Sequence, residues 1–404
     1  MPPPVRTLRM EERTVAYLRG AFRRHYEATT VSPPPAPNER EWGYIPWTAD
    51  GQTRMVRHRS WLDVGDLGRF LAEERPQHVY FSAAQYRDPS ANSMSRKDWQ
   101  GTDLVFDLDA DHLPGVDPET TPYAEMLETC KDALLDLLSV LEDDFGFEDL
   151  TVVFSGGRGY HVHVRDDGVS QLGRGDRREI VEYVLAEDLD LEALLERELV
   201  DGIGLENPTE KRTLSTTGGW GKRVHDNLLA LVDEVRAMDD PEDKLERLQA
   251  YDGIGDGSAR KLVEVFDANY DQIASGNVEV HGRFLTLARQ VAAETFDAEA
   301  APIDEPVTTD INRLIRLPGS LHGGTGLEVT RIQRDEVAAF DPLEDAVSDA
   351  FRADGEDALA VEVTEPVTVE LGGDSFTLEA GASTVPEYVG IFAMARGHAE
   401  IAKQ

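Results

Sequence analysis

The chain has a single cysteine, Cys130, in 404 residues. No intrachain disulfide can form, so the expected setting is reducing and cytoplasmic. Long apolar runs are missing as well. None approaches the roughly 18 residues a membrane span needs, and Met1-Pro2-Pro3-Pro4 followed by arginines has no signal-peptide core. A membrane role is therefore not expected. A Gly-Lys-Ser/Thr phosphate loop is also absent: the nearest string, Gly218-Gly219-Trp220-Gly221-Lys222-Arg223, has the wrong spacing and follow-on. Positive charge is scarce, with 40 lysines and arginines against 78 acids, a net charge of −38.

Such acidity fits either a disordered chain or a folded one adapted to molar salt. An apolar share of 40%, arranged in periodic runs, and five tryptophans favour the folded reading. Screening over about 3 Å at molar salt removes most self-repulsion. One segment runs against the trend. Residues 1–60 hold arginines 6, 9, 13, 19, 23, 24, 40, 54, 57 and 59 and are net positive by about four charges. A polyanionic partner and local pairing with the acidic body both account for this.

The periodicities give an α/β (α+β) chain with mixed or antiparallel sheets flanked by helices, plus a helical insertion. Residues 6–28 read as an amphipathic helix, 40–62 as strand-like, 67–74 as a helix and 78–82 as a strand. Residues 103–110 alternate as a strand, 123–143 read as a helix, and 150–154 and 160–165 as two strands. Residues 307–317 read as a strand leading to a glycine-rich loop, and 385–403 as a closing helix. The expected organisation is a catalytic core in two parts, 1–169 and 276–404, with a mainly helical insertion at 170–275. The insertion contains Gly253-Ile254-Gly255-Asp256-Gly257, similar to a helix-hairpin-helix turn but equally readable as a plain turn.

Three motifs carry chemistry. In Asp107-Leu108-Asp109, residues two apart on a strand share a face, with Cα atoms about 6.5–7 Å apart. Two such carboxylates resist joint ionisation unless a divalent cation makes both of them ligands. In Ser155–His163, the glycines at 156, 157 and 159 permit a turn with exposed N–H groups. Ser155 and Arg158 add donors, and His161, His163 and Arg165 share one strand face, so the block reads as a triphosphate cradle. In Asp310–Gly326, Asp310 is a candidate third metal carboxylate, and Arg313, Arg316 and His322 are candidate phosphate partners.

These three blocks, in this order and at this spacing, resemble the signature blocks of the archaeal/eukaryotic DNA primase catalytic small subunit, in a haloarchaeal-like form. Arg40–Tyr44, Met55–Arg59 and the final helix extend the resemblance over nearly the whole chain. It implies a nucleotidyltransferase that makes primers on single-stranded DNA from NTPs or dNTPs, paired with a large regulatory subunit in a heterodimer. It also implies Mg²⁺ or Mn²⁺ on Asp107, Asp109 and Asp310, and nucleotide phosphates on Ser155, Arg158, His161, Arg313 and His322. Two departures stand out. Gly324 occupies the place where the family often has a phosphate-binding lysine. Only His112 and Cys130 stand where many members carry a zinc knuckle, so no structural zinc is expected. A repair-type primase-polymerase that extends DNA ends, and a non-catalytic nucleic-acid-binding module, are the alternatives.

Overall fold

The computed structural model describes residues 10–48, 53–200, 209–352 and 358–403. The chain divides into two compact units. One comprises Met1–Leu135, Glu148–Val181 and Pro302–Gln404; the other comprises Asp136–Phe147 and Glu182–Ala301. The second unit thus starts and ends later than the 170–275 read from composition, and it borrows a short upstream piece.

Among its described residues, the first unit holds two four-stranded sheets. Their strands in chain order are β1 (Trp42–Ile45), β2 (Val56–Arg59), β3 (His78–Ser82), β4 (Leu104–Asp109), β5 (Leu150–Phe154), β6 (Gly159–Val164), β7 (Leu314–Arg316) and β8 (Thr330–Ile332). One sheet runs β7-β3-β1-β2 and the other β8-β5-β6-β4. Every pairing in both is antiparallel, within an α+β architecture.

The alternation expected of β4 fixes its orientation. Leu104, Phe106 and Leu108 are fully buried on one face, which leaves Asp107 and Asp109 on the other. The register with β6 sets Val105 opposite His163, Asp107 opposite His161 and Asp109 opposite Gly159. At that last pair the backbones nearly touch. A Cβ on Gly159 would lie 1.8 Å from the Leu108 carbonyl oxygen, so only glycine fits. A buried ion pair ties the two sheets together. Arg40, fully buried, donates through Nη1 to the Ser82 and Ala83 carbonyls at 2.8 Å and through Nη2 to both Asp103 oxygens at 3.0 and 3.1 Å. Arg165 donates to the same carboxylate at 2.9 Å. Burial raises the Asp103 carboxyl, but His163 and the two arginines outweigh it and hold it below the usual range. Loss of one partner from such a pair costs about 3–5 kcal/mol, since the other charge stays buried.

Three sequence readings are corrected. The first helix spans Glu12–Ala28; residues 1–9 lie outside the described residues. Residues 307–317 are not one strand. Asp304 precedes a short helix, Glu305–Thr309, opened by Pro306, and Asp310 ends it before β7. The closing helix stops at Ala395, where Gly397 at φ +78° turns the chain into strand Ala399–Ile401.

The second unit is mainly helical: Gly219–Ala237, Pro241–Gln249, Asp256–Ala274 and Gly282–Glu299 pack around Leu228, Val232, Phe266, Phe284 and Leu287. It also carries the short strand pair Glu196–Val200 and Thr209–Thr213. In the glycine hairpin, Ile254 and Ala259 are buried, and Gly253, Gly255 and Gly257 face open space.

One group makes the stability of the first unit pH-dependent. Burial, and then Asp349, push the Glu328 carboxyl up to about 7 from an ordinary 4.5. Below pH 4.5 the group is protonated whether the chain is folded or not, and no penalty applies. Between 4.5 and 7 the unfolded chain ionises first, so a cost builds and is complete above 7. Glu328→Gln is therefore expected to stabilise the protein by up to about 3 kcal/mol at pH 8. Denaturation curves in high potassium chloride should show that gain shrinking to nothing at pH 4.5.

Candidate active site

Where β4 and β6 run side by side, their polar face opens into a cavity of about 350 Å³. Asp107, His161, Asp310 and Arg313 line it, together with Arg57, Tyr80, Asn312 and Arg316. Four expected site residues, drawn from all three motifs, therefore share one cavity. Asp107 Oδ1 lies 3.3 Å from His161 Nε2. Burial raises the Asp107 carboxyl, but His161, Arg316 and Arg313 pull harder, and the net direction is down. Its charge is thus kept in a partly buried place. Nδ1 of His161 is buried without a hydrogen-bond partner.

Asp109 shares the Asp107 face of β4 and accepts the Asp111 amide at 3.2 Å. Asp310 accepts the Asn312 amide at 3.0 Å, which aims the turn ahead of β7. Asp304 is an acid the sequence reading missed. Its amide donates to the Asp107 carbonyl at 2.9 Å, and burial, then Asp107 and, more weakly, Asp109, push its carboxyl up. Mutual repulsion of this kind is what a cation relieves. The set is open: among the described residues, no three His, Cys, Asp or Glu side chains stand close enough to hold a metal ion as they are. The donors are all hard carboxylate oxygens, which suits a Mg²⁺- or Mn²⁺-like ion.

Beside the cavity lies the glycine turn. Gly156 adopts φ +74°, and Ser155 Oγ accepts the Gly157 amide at 3.3 Å. Arg158 is paired with Asp111. His322 stands over the turn: a Cβ on Gly156 would come within 2.6 Å of its Cβ, and one on Gly157 within 3.3 Å of its Nε2. Ser155, Arg158 and His322 are thus gathered at one turn. Thr325 fixes the tautomer of His322. Its hydroxyl donates to the Gly156 carbonyl at 2.5 Å, so its oxygen must accept from His322 Nδ1 at 3.2 Å. In the neutral ring Nε2 is then a bare lone pair. Burial, and then Arg316, His78, Arg158 and Arg396, hold His322 well below its ordinary pKa.

The arginine-rich N-terminus has a mostly local explanation. Arg13, Arg23, Arg24, Arg40 and Arg57 pair with Glu11, Glu27, Glu387, Asp103 and Glu41. Arg6 and Arg9 lie outside the described residues. Arg57 alone among these pairs lines the cavity. It is held by Glu41, a fully buried carboxylate that also pairs with buried Lys97. Besides Asp304, sequence reasoning missed Tyr80, Thr325 and Arg396. A lone arginine closing the apolar helix Glu387–Ala395 was the available signal for the last.

A family model described as DNA primase small subunit matches residues 106–334. The chain is 58% identical over 98% of its length to the DNA primase small subunit PriS of Haloarcula marismortui, all of which is covered. It is 58% identical to that of Natronomonas pharaonis, over 96% of this chain and 99% of that one. It is 41% identical to that of Methanothrix thermoacetophila, over 97% of this chain and all of that one. This chain belongs to the DNA primase small subunit family, and it is a primase of the nucleotidyltransferase type.

Proposed function

We propose that the chain is the catalytic subunit that joins nucleotides on single-stranded DNA at the cavity and glycine turn of the first unit. Family members are metal-dependent; in this chain Asp107, Asp109 and Asp310 would hold Mg²⁺ or Mn²⁺. The observation that carries the reading is the convergence of Asp107 and Asp310, far apart in the chain, on one cavity with His161 and Arg313. When bound, a divalent ion supplies Lewis acidity, activating the attacking 3′-hydroxyl and offsetting charge on the leaving pyrophosphate.

The protein's own groups do the remainder. Arg313 and Arg316 have no carboxylate partner among the described salt bridges and present positive charge along the cavity wall. That preorganised charge stabilises the phosphate oxygens as negative charge builds in the transition state. Ser155, Arg158 and His161 meet the triphosphate from the turn and from β6. His322 Nε2 meets a phosphate oxygen only after taking up a proton, because its Nδ1 proton is committed to Thr325. No covalent intermediate on the protein is required. The name small subunit implies a larger partner, and we assign the pair as a heterodimer in which the partner shares the template.

Two measurements test this. With unprimed single-stranded DNA, labelled nucleotides and Mg²⁺ or Mn²⁺ in high potassium chloride, wild type is expected to start chains with its large subunit present. Asp107→Asn should lower the rate by about a thousandfold, equivalent to several kcal/mol, without lowering the melting temperature. Near-normal synthesis would remove Asp107 from the site. Activity confined to primed ends would instead favour the repair-type enzyme. The second measurement is nucleotide affinity against pH, read by equilibrium titration without DNA. The protonated His322 is the binding form, and its pKa lies well below the ordinary imidazole value, so affinity should rise as pH falls through the acid range beneath that value and fall as pH rises. Thr325→Val releases Nδ1 and should flatten that dependence; an unchanged slope would exclude the tautomer lock.

A further inference from the structure

Arg396 follows the last turn of the apolar helix Glu387–Ala395. Among the described residues it makes no ion pair with a carboxylate, on a chain with 78 acids. Its guanidinium lies 4.2 Å from the Tyr123 ring centroid and 5.4 Å from that of Phe392, and these two rings contact each other at 5.7 Å. The Tyr123 hydroxyl in turn donates to the Gly157 carbonyl in the glycine turn. Arg396 is thus fixed to that turn through one aromatic side chain. Its charge is felt by both other cationic members of the cradle: it opposes protonation of His322, and Arg158 opposes its own. Burial acts on it first, and Tyr123 opposes both effects.

Arg158 has Asp111 as a partner and Arg396 has none among the described ion pairs, and like charges brought together cost free energy unless an anion occupies the space. A ring face holds a guanidinium in place while leaving its in-plane N–H donors available. A bidentate phosphate contact uses those donors.

We infer that Arg396 is a phosphate-binding residue of the nucleotide site, taking the β- or γ-phosphate of the incoming triphosphate together with Arg158 and protonated His322. The inference rests on the placement of the triphosphate at the glycine turn. It also gives the final helix a task beyond packing: to present a cation to the cradle from its C-terminal end. A phosphate of the DNA backbone has the same chemistry, and the test separates the two sources.

The experiment uses the full-length chain with its large subunit, in high potassium chloride. It compares wild type, Arg396→Gln and Arg396→Lys for nucleotide KM, inhibition by inorganic pyrophosphate, and single-stranded DNA affinity without nucleotide. Arg396→Gln is expected to raise KM and weaken pyrophosphate inhibition by the same factor, about tenfold or more, with DNA affinity unmoved. Arg396→Lys should recover part of both. Unmoved KM and pyrophosphate inhibition would overturn the inference, as would a loss confined to DNA affinity. Equal impairment of both variants with lowered melting temperatures would overturn it too, making Arg396 a packing residue. Arg158→Gln run in parallel separates the two levels of the argument. If it raises KM and Arg396→Gln does not, only the Arg396 assignment fails; if neither does, the placement of the triphosphate at the turn fails first.

Discussion

The site depends on the close approach of β4 and β6 at Gly159. With no side chain there, the two backbones meet edge to edge, and the register sets Asp107 against His161. The same turn that needs Gly159 also needs Gly156 at positive φ, and His322 fills the space a Cβ would take. One local constraint therefore positions both a carboxylate wall and a cationic turn. The buried Arg40–Asp103 pair keeps the second sheet, with Tyr80 and Arg316, in register with them. It is a costly device as a source of stability, and a plausible apolar core would serve that purpose as well. Its geometry is what matters: Arg40 bonds to the end of β3 and to the residue preceding β4 at the same time.

Charge in this unit is segregated by function. Five of the eight described arginines in the first 60 residues, Arg13, Arg23, Arg24, Arg40 and Arg57, are paired with acids of this unit. Around the cavity, Arg313 and Arg316 stand without a carboxylate salt bridge among the described residues, beside the carboxylates Asp107 and Asp310. Burial, and then Asp107, push the Asp304 carboxyl upward, whereas His161, Arg316 and Arg313 outweigh burial at Asp107 and hold it down. Neither group is neutralised within the protein alone. A site that handles a polyanionic substrate with divalent cations has that pattern, because the ligands complete the pairing.

Much of this was legible in the sequence where chemistry follows a short period. The β4 alternation separated Asp107 and Asp109 from Leu104, Phe106 and Leu108, and the glycines of 155–159 marked a turn. The contacts made by distant segments were not legible. Asp310 was read as entering a strand, since Ile311, Leu314 and Ile315 look strand-like; the Asp304–Pro306 helix start overrode that pattern and let Asp304 reach Asp107. Arg396 sits far along the chain from the glycine turn, and only tertiary packing through Tyr123 connects them. The basic N-terminus misled in the other direction: its arginines stand out in the composition because their partners, such as Glu387 and Asp103, are remote in sequence.

Molar salt decides which of these cations can matter for binding. The haloarchaeal relatives and the net charge of −38 place the chain in such a medium. A Debye length of about 3 Å there leaves an exposed arginine little reach toward a phosphate, and affinity built from counterion release is weak. A partly buried guanidinium held on a ring, or an imidazole locked by Thr325, is screened far less, because bulk ions cannot enter between it and its ligand. Under those conditions an enclosed cation keeps far more of its attraction for a phosphate than an exposed one does. Template holding, which involves a long exposed backbone, cannot be built the same way. Base stacking, which salt screens little, is the physical alternative for holding a single strand.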